Sequence, residues 1–142
     1  MTCIAWDGNM LSGDRRSVGG GNAKTTTKIH RVNDMLVGFA GDASAAEAVR
    51  WWLSKGADTT LHPWGDIERD QCHALVIMPD RTIWVYEHGP HPAQYHDPFI
   101  AIGCGRDYAL AAMHLGCNAK QAVEVACKFD VFCGNGVDTL TF

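Results

Sequence analysis

The amino-terminal stretch Met1–Asp14, MTCIAWDGNMLSGD, decides how the fold begins. Its apolar run Cys3–Trp6 stops at Asp7–Asn9, a sequence typical of a tight turn, and Met10–Gly13 follows as a second short run. These residues predict a β-hairpin that opens the fold. Thr2 therefore stands at the start of the first predicted strand.

Thr2 follows the initiator methionine directly and becomes the amino-terminal residue if Met1 is removed. A threonine hydroxyl is a weak nucleophile by itself, but an amino-terminal threonine carries an α-amino group that can serve as its general base. A small second residue is also common in proteins without such chemistry. Thr2 is therefore either a candidate nucleophile or an ordinary strand residue, and the rest of the chain has to distinguish the two.

Beyond the hairpin, the apolar pattern predicts further strands, one helix, a second hairpin and two closing helices. The predicted strands are Thr25–Val32, Met35–Ala40, Cys72–Met78, Thr82–Glu87 and Phe99–Ile102, and the predicted helices are Ala43–Lys55, Asp107–Leu115 and Ala119–Lys128. Gly19–Asn22 is expected to form a flexible loop, and Asp130–Cys133 and Asp138–Leu140 flank a predicted turn at Gly134–Gly136. Two sheets with helices packed outside them would bury the apolar faces of these elements.

Length and composition limit the class of protein. A chain of 142 residues with 46% hydrophobic and 20% charged residues can bury one sizeable core, so we expect a single domain spanning residues 1–142. The net charge of −4 and the scattered basic residues argue against binding to nucleic acid. The sequence has neither the pattern of a signal peptide nor an apolar run of membrane-spanning length. We therefore expect a soluble, cytoplasmic protein without a membrane partner.

The cysteines, histidines and glycines match no metal or nucleotide motif. The six cysteines, at positions 3, 72, 104, 117, 127 and 133, include no C-x-x-C pair, and His88 and His91 lie in a proline-rich segment without metal-ligand spacing. Gly19–Thr25 lacks the spacing of a P-loop, and Gly103–Tyr108 lacks the third glycine of a dinucleotide loop. The sequence therefore predicts neither a bound metal nor a cofactor, and reduced cysteines.

Several short motifs together resemble one family. They occur in a fixed order: Thr2–Ala5, Ser12–Asp14, Thr27–Val32, Val37–Ala43 and Ala101–Ala109. In this order they resemble the proteasome-related N-terminal nucleophile (Ntn) hydrolases, closest to the bacterial HslV-like peptidase subunits, over Thr2 to about Leu140. The resemblance implies an α+β fold, a four-layer αββα sandwich of two antiparallel sheets flanked by helices. It also implies a threonine peptidase that cleaves peptides or unfolded proteins inside a homo-oligomeric ring.

The resemblance also assigns roles to individual residues. Thr2 would be the nucleophile, and Lys28 would be the cation beside it that favours the reactive forms of its amine and hydroxyl. Asp14 would keep that lysine charged and oriented, and Gly41 would offer a backbone N–H to the developing oxyanion. Cys104 lies between Gly103 and Gly105 and departs from the family, in which serine is usual at this position. The serine of relatives helps to position the terminal amine. A thiol is a weaker hydrogen-bond partner than a hydroxyl.

Other parts of the chain keep alternatives open. Ala57–Asp70 is polar and broken by Pro63 and Gly65, so the chain is expected to lack a long helix that relatives carry there. Asp130 and the Asn135–Asp138 segment lie where relatives complete the site or bind a cation, without a pattern that assigns a ligand. An ATP-dependent unfoldase partner follows only from the resemblance. A catalytically inactive structural or assembly protein that retains Met1 remains the alternative to the peptidase.

Overall fold

A computed structural model describes residues 1–65 and 71–142. Its first antiparallel sheet has the strand order β10-β1-β2-β11. The strands are β1 (Ile4–Trp6), β2 (Met10–Asp14), β10 (Ile100–Ile102) and β11 (Val137–Thr141). The predicted opening hairpin is present, with Ile4 opposite Gly13 and Trp6 opposite Leu11. On the other side of β1, Ile4 lies opposite Ile102, so the end of β10 reaches the start of the chain.

The second antiparallel sheet has five strands in sequence order, β5 to β9. They are β5 (Ile29–Val32), β6 (Met35–Gly41), β7 (Cys72–Ile77), β8 (Ile83–Tyr86) and β9 (Ala93–Tyr95). Neighbouring strands in the chain are neighbours in the sheet. Short connections join β5 to β6 and β7 to β8, whereas the connection from β6 to β7 contains α1. The central strands β6 and β7 are almost entirely buried, which matches their apolar sequences.

In the described residues, three α-helices cover the two large sheets. They are α1 (Ala43–Ser54), α2 (Arg106–His114) and α3 (Ala119–Phe129). One apolar core lies between the sheets and contains Trp6, Leu11 and Leu75. A second core lies between the first sheet and α2 and α3, and a third lies between the second sheet and α1. The order of layers is therefore helices, sheet, sheet, helix, the predicted α+β sandwich.

The three helices match their predicted bounds to within one residue, and α1 and α3 each begin at a capping side chain. Asp42 caps α1 by accepting a hydrogen bond from the Ala45 N–H at 2.9 Å. Asn118 and Gln121 form a reciprocal capping box at the start of α3. The part of the polar connection that the structure describes, residues 57–65, contains one short 3-10 turn, Pro63–Gly65, and the remaining residues 66–70 lie outside the described part of the chain.

Three local predictions differ from the structure. Gly19–Asn22 is the turn region of a hairpin between β3 (Arg16–Gly19) and β4 (Asn22–Thr25), and the predicted strand Thr25–Val32 is therefore divided between β4 and β5. Asp130–Cys133 forms turns instead of a strand.

None of the helices in the described residues is both long and apolar enough to cross a membrane.

Candidate functional site

Thr2 lies in a buried position where β1 meets the end of β10. Thr2 is only 3% exposed to solvent. Its backbone N–H donates to the Cys104 Sγ at 3.2 Å, and its carbonyl oxygen accepts from the Gly105 N–H at 3.1 Å. Gly103 has a φ of +92°, and a Cβ atom there would overlap the Thr2 carbonyl. The Gly103–Gly105 loop can therefore run directly beside Thr2 only because residue 103 has no side chain.

Asp14 and Lys28 form a buried ion pair next to this terminus. Asp14 ends β2 with 0% exposure, and Lys28 immediately precedes β5 with 9% exposure. The Lys28 Nζ lies 3.0 Å from Asp14 Oδ1 and 3.1 Å from Oδ2. A buried charge is tolerated when it is both paired and hydrogen-bonded, and removal of either partner leaves the other uncompensated. The pair therefore holds the Lys28 ammonium in a fixed position within the site.

Backbone N–H groups complete the surroundings of the Asp14 carboxylate. The Cys3 N–H donates to Oδ1 at 2.9 Å, and the N–H groups of Gly134 and Arg16 donate to Oδ2 at 3.1 and 3.2 Å. The hairpin register explains the first contact. Ile4 lies opposite Gly13 in the antiparallel pair, so Cys3 lies opposite Asp14. Sequence reasoning missed Gly134, which lies far along the chain. Its position beside Arg16 follows from the pairing of β11 with β2.

Lys28 also contacts the first peptide bond of the chain. Its Nζ donates to the Met1 carbonyl oxygen at 2.9 Å, and this carbonyl belongs to the bond that joins Met1 to Thr2. The lysine ammonium thus bridges the buried carboxylate and the peptide group immediately before Thr2. If Met1 is removed, the lysine keeps its Asp14 contacts and has an N–H donor available where the Met1 carbonyl lay.

Gly41 lies at the end of β6, in a backbone conformation that favours glycine. Its φ is +119°, and a Cβ atom at this position would overlap the carbonyl oxygen of Gln71. Asp42, the next residue, donates its N–H to the same carbonyl at 2.7 Å and begins α1. The strand-to-helix turn is therefore fixed by a close backbone approach that any larger residue would disturb.

These residues surround a cleft of about 450 Å³. Thr2, Lys28 and Gly41 line it together with Val18 of β3, Thr27 after β4, Phe39 of β6, and Ala46 and Glu47 of α1. A second depression of about 540 Å³ contains Gly41 and Cys104, and Met1 lines both. The structure thus brings together Thr2, Lys28 and Gly41 along the cleft, with Asp14 paired to Lys28 and Cys104 in contact with the Thr2 nitrogen.

A cluster of two thiols and a carboxylate lies beside Thr2, and only Cys104 of these residues was among the predicted site residues. The Sγ atoms of Cys104 and Cys133 are 3.9 Å apart, and one ligand atom of each of Cys104, Cys133 and Asp130 lies within 4.8 Å of the others. Burial is the main cause that raises the pKa of the Cys133 thiol, and the charge of Asp14 adds to it. The Phe132 N–H donates to Asp130 and is the main cause that lowers the pKa of its carboxyl group.

The site combines the groups that acyl transfer needs. A hydroxyl stands beside a backbone nitrogen that would become a primary amine on loss of Met1, with a buried cation on one side and a constrained glycine turn on the other. Such a hydroxyl could attack a carbonyl group, with the amine as general base.

Comparison with known proteins supports the fold. No protein-family model and no curated protein matches the sequence. The structure is similar to Thiobacillus denitrificans BPH in complex with epoxomicin, with a TM-score of 0.69, 20% sequence identity, and coverage of 99% of this chain and 97% of that one. BPH without that compound has a TM-score of 0.68 at the same identity, with coverage of 99% and 96%. Eukaryotic HslV from Trypanosoma brucei has a TM-score of 0.69 at 20% identity, with coverage of 98% and 97%.

Proposed function

We propose, from the premise that this chain has the fold of HslV, that it is a threonine peptidase whose nucleophile is Thr2 once Met1 has been removed. The observation that carries the proposal is the contact between the buried Lys28 ammonium and the carbonyl group immediately before Thr2. A buried lysine, paired with a carboxylate that is itself fully hydrogen-bonded, is aimed at the atoms that flank the proposed nucleophile. The single domain 1–142 would supply all of these groups.

In the proposed first step, the Thr2 hydroxyl oxygen attacks the carbonyl carbon of a peptide bond. The α-amino group of Thr2 accepts the hydroxyl proton, directly or through one water, and returns it to the nitrogen of the departing peptide. The carbon–nitrogen bond breaks, and the substrate's acyl group remains as an ester on Thr2. Lys28 stabilises the negative charge that builds up on the hydroxyl oxygen, because opposite charges at short range favour the ionised form.

In the second step, the Thr2 amine takes a proton from a water molecule whose oxygen attacks the ester carbonyl carbon. The bond from that carbon to the Thr2 oxygen breaks, the proton passes to this oxygen, and the acyl group leaves as a carboxylic acid. In both steps the carbonyl oxygen becomes an oxyanion, which the Gly41 backbone N–H would stabilise from the rim of the same cleft. Removal of one such donor typically costs a factor of roughly 100 to 1,000 in kcat. Cys104 accepts a hydrogen bond from the Thr2 nitrogen and would orient the amine that acts as the base.

The proposal includes assembly of identical subunits into a ring that encloses the sites and admits peptides or unfolded chains. A set of exposed aromatic and apolar residues is the candidate subunit contact: Tyr108 on α2, and Phe129, Val131 and Phe132 at and after the end of α3. The rings of Tyr108 and Phe129 stack at 5.9 Å between centroids. Large exposed apolar patches of this kind commonly mark protein interfaces.

A cytoplasmic location and an ATP-dependent unfoldase partner belong to the same proposal, and the six free thiols support a reducing compartment.

The second candidate function is an inactive structural or assembly protein that retains Met1. In such a protein the Lys28 ammonium would stay engaged by Asp14 and by the Met1 carbonyl. In that state the Thr2 nitrogen is an amide that cannot act as a base. The two candidates therefore differ in a single covalent bond.

Mass spectrometry of the intact protein made in its native host distinguishes them. The peptidase proposal predicts loss of one methionine, hydrolysis of unfolded casein or of fluorogenic peptides, and a mass increase of one epoxomicin per chain on incubation with that compound. Thr2→Ala should abolish hydrolysis and the epoxomicin adduct, and Thr2→Ser should retain both. Complete retention of Met1, or hydrolysis that survives in Thr2→Ala, would contradict the proposal.

A further inference from the structure

The cluster of Cys104, Cys133 and Asp130 has the chemistry and the spacing of a metal site. Its two sulfur atoms are 3.9 Å apart, and the three ligand atoms lie within 4.8 Å of one another. Zinc–thiolate bonds of about 2.3 Å in a tetrahedral arrangement place two sulfur ligands about 3.8 Å apart. The observed separation therefore matches two thiolates on one tetrahedral ion, with only small movements needed to bring in the carboxylate.

The backbone holds the ligands in place without a metal. Asp130 ends α3, where its N–H donates to the Ala126 carbonyl at 2.8 Å, and its own carbonyl accepts from the Cys133 N–H at 3.1 Å. Cys104 lies in the loop whose next residue, Gly105, donates to the Thr2 carbonyl. Because each ligand lies in a segment that is fixed by main-chain hydrogen bonds, little conformational entropy would be lost when an ion binds.

A fourth ligand is available from the proposed nucleophile itself. The Thr2 nitrogen lies 3.2 Å from the Cys104 Sγ, close to the roughly 3.5 Å expected between nitrogen and sulfur ligands on one tetrahedral zinc ion. While Met1 is attached this nitrogen is an amide and a poor ligand. After removal of Met1 it is a primary amine whose lone pair can bind a cation.

We propose that Cys104, Cys133 and Asp130 form a site for a thiophilic divalent cation such as Zn²⁺, which the Thr2 amine completes in the processed chain. Binding displaces the two thiol protons to solvent and forms two metal–sulfur bonds, with no change in oxidation state. Soft thiolate ligands select zinc over magnesium or calcium. A bound ion would occupy the lone pair that the amine needs as a base, so Zn²⁺ would inhibit hydrolysis; this consequence rests on the proposed peptidase function.

A disulfide between Cys104 and Cys133 is the competing use of the same thiols. It requires the sulfur atoms to approach to about 2.05 Å, nearly 2 Å closer than they are, and it requires an oxidant. The observed spacing fits an ion between the sulfurs better than a bond between them.

The test measures binding of Zn²⁺ to the full chain under reducing conditions, by equilibrium dialysis and elemental analysis, with no substrate present. We expect one Zn²⁺ per chain, and a loss of affinity of at least 100-fold in Cys104→Ser and in Cys133→Ser. Asp130→Asn should weaken binding about 10-fold. Cys117→Ser is the matched control, since this half-buried thiol lies outside the cluster, and it should bind as the unaltered protein does. Co²⁺ should give a thiolate charge-transfer band that the two cluster variants lack.

Comparison of the chain that retains Met1 with the processed chain tests the fourth ligand. Processed protein should bind Zn²⁺ at least 10-fold more tightly. Unchanged Zn²⁺ affinity in Cys104→Ser would overturn the site even if Cys133→Ser failed to fold, because Cys104 is exposed. Isolation of the protein with a Cys104–Cys133 disulfide and no affinity for Zn²⁺ after reduction would overturn it as well. Zn²⁺ binding is measured independently of peptide hydrolysis. A protein that binds Zn²⁺ but does not hydrolyse peptides would therefore contradict the peptidase proposal and leave the zinc site standing.

Discussion

The buried pair of Asp14 and Lys28 predicts that its two members differ in their importance for stability. The Asp14 carboxylate accepts from Lys28 and from the three N–H groups of Cys3, Arg16 and Gly134. In Lys28→Met, these backbone donors still surround the charge. In Asp14→Asn, the lysine ammonium loses its counter-charge, and the new amide NH2 group has to share a space that is filled with donors.

The contacts give a magnitude to this difference. Removal of one partner from a buried ion pair costs about 3–5 kcal/mol when the remaining charge is uncompensated, and we assign that range to Asp14→Asn. Lys28→Met should cost about 1.5–3 kcal/mol, the contribution of a hydrogen bond to a charged group, because the carboxylate keeps its other donors. For a domain of this size, each kcal/mol corresponds to roughly 2–4 °C in Tm. The Asp14→Asn variant should therefore melt about 3–8 °C below Lys28→Met.

Thermal and urea denaturation of both variants, at one protein concentration, measure the difference. Glu47→Gln is the control, because it removes an ion pair with Arg50 that is exposed to solvent and should change the free energy of unfolding by less than about 0.5 kcal/mol. Both site variants should lose at least about 100-fold in kcat if Lys28 serves the proposed chemistry. The reasoning is refuted if Lys28→Met is the less stable of the two, or if Asp14→Asn is as stable as the unaltered protein.

Three further substitutions test the turn, the thiol and the proposed subunit contact. Gly41→Ala should cost more than about 2 kcal/mol because it combines a positive φ with a backbone clash, whereas Gly56→Ala, at a φ of +97° in open space, should cost about 1 kcal/mol; Tm measurements that rank them equally would contradict the clash. Cys104→Ser should retain hydrolysis, because a hydroxyl accepts from the Thr2 nitrogen better than a thiol, and Cys104→Ala should lower kcat about 10-fold; steady-state kinetics that show the two variants alike would remove Cys104 from the positioning of the amine. Phe129→Glu should reduce the mass of the assembly measured by light scattering, whereas Trp51→Glu, an equally exposed aromatic on α1, should not; an unchanged mass in Phe129→Glu would exclude this cluster as the subunit contact.

The sequence predicted those elements whose signals are local. The opening hairpin followed from one turn sequence between two apolar runs, and the three helices followed from apolar spacing and capping residues. The β3–β4 hairpin was missed because its strands are mostly exposed and polar, so that no alternation marks them. Its turn contains Gly20 and Gly21, both with positive φ. A run of glycines in a sequence is equally typical of a flexible loop. The strand β9 is fully exposed and was missed for the same reason.

The residues of the candidate site also fall into those that a local motif identifies and those that only the packing of distant segments brings together. Thr2, Asp14, Lys28, Gly41 and Cys104 were identified because each lies within a short ordered motif, and the structure brings them together. Asp130, Cys133 and Gly134 lie in a segment that carries no such motif, and Cys133 is 29 positions from the thiol it approaches. Cysteine spacing in the sequence identifies metal sites whose ligands are close in the chain. Ligands that converge only through the packing of α3 against the first sheet leave no spacing to recognise.

Removal of Met1 would connect the two proposals through one chemical event. With Met1 present, the Lys28 ammonium donates to the Met1 carbonyl, and the nitrogen beside Cys104 is an amide. With Met1 removed, the lysine gains an available donor and the nitrogen becomes both a base and a metal ligand. A chain that is active therefore also has the complete set of four ligands, and any Zn²⁺ it binds competes for the same lone pair that catalysis requires. Zinc affinity should consequently rise at least 10-fold at the same step at which activity appears, and excess Zn²⁺ should then suppress that activity.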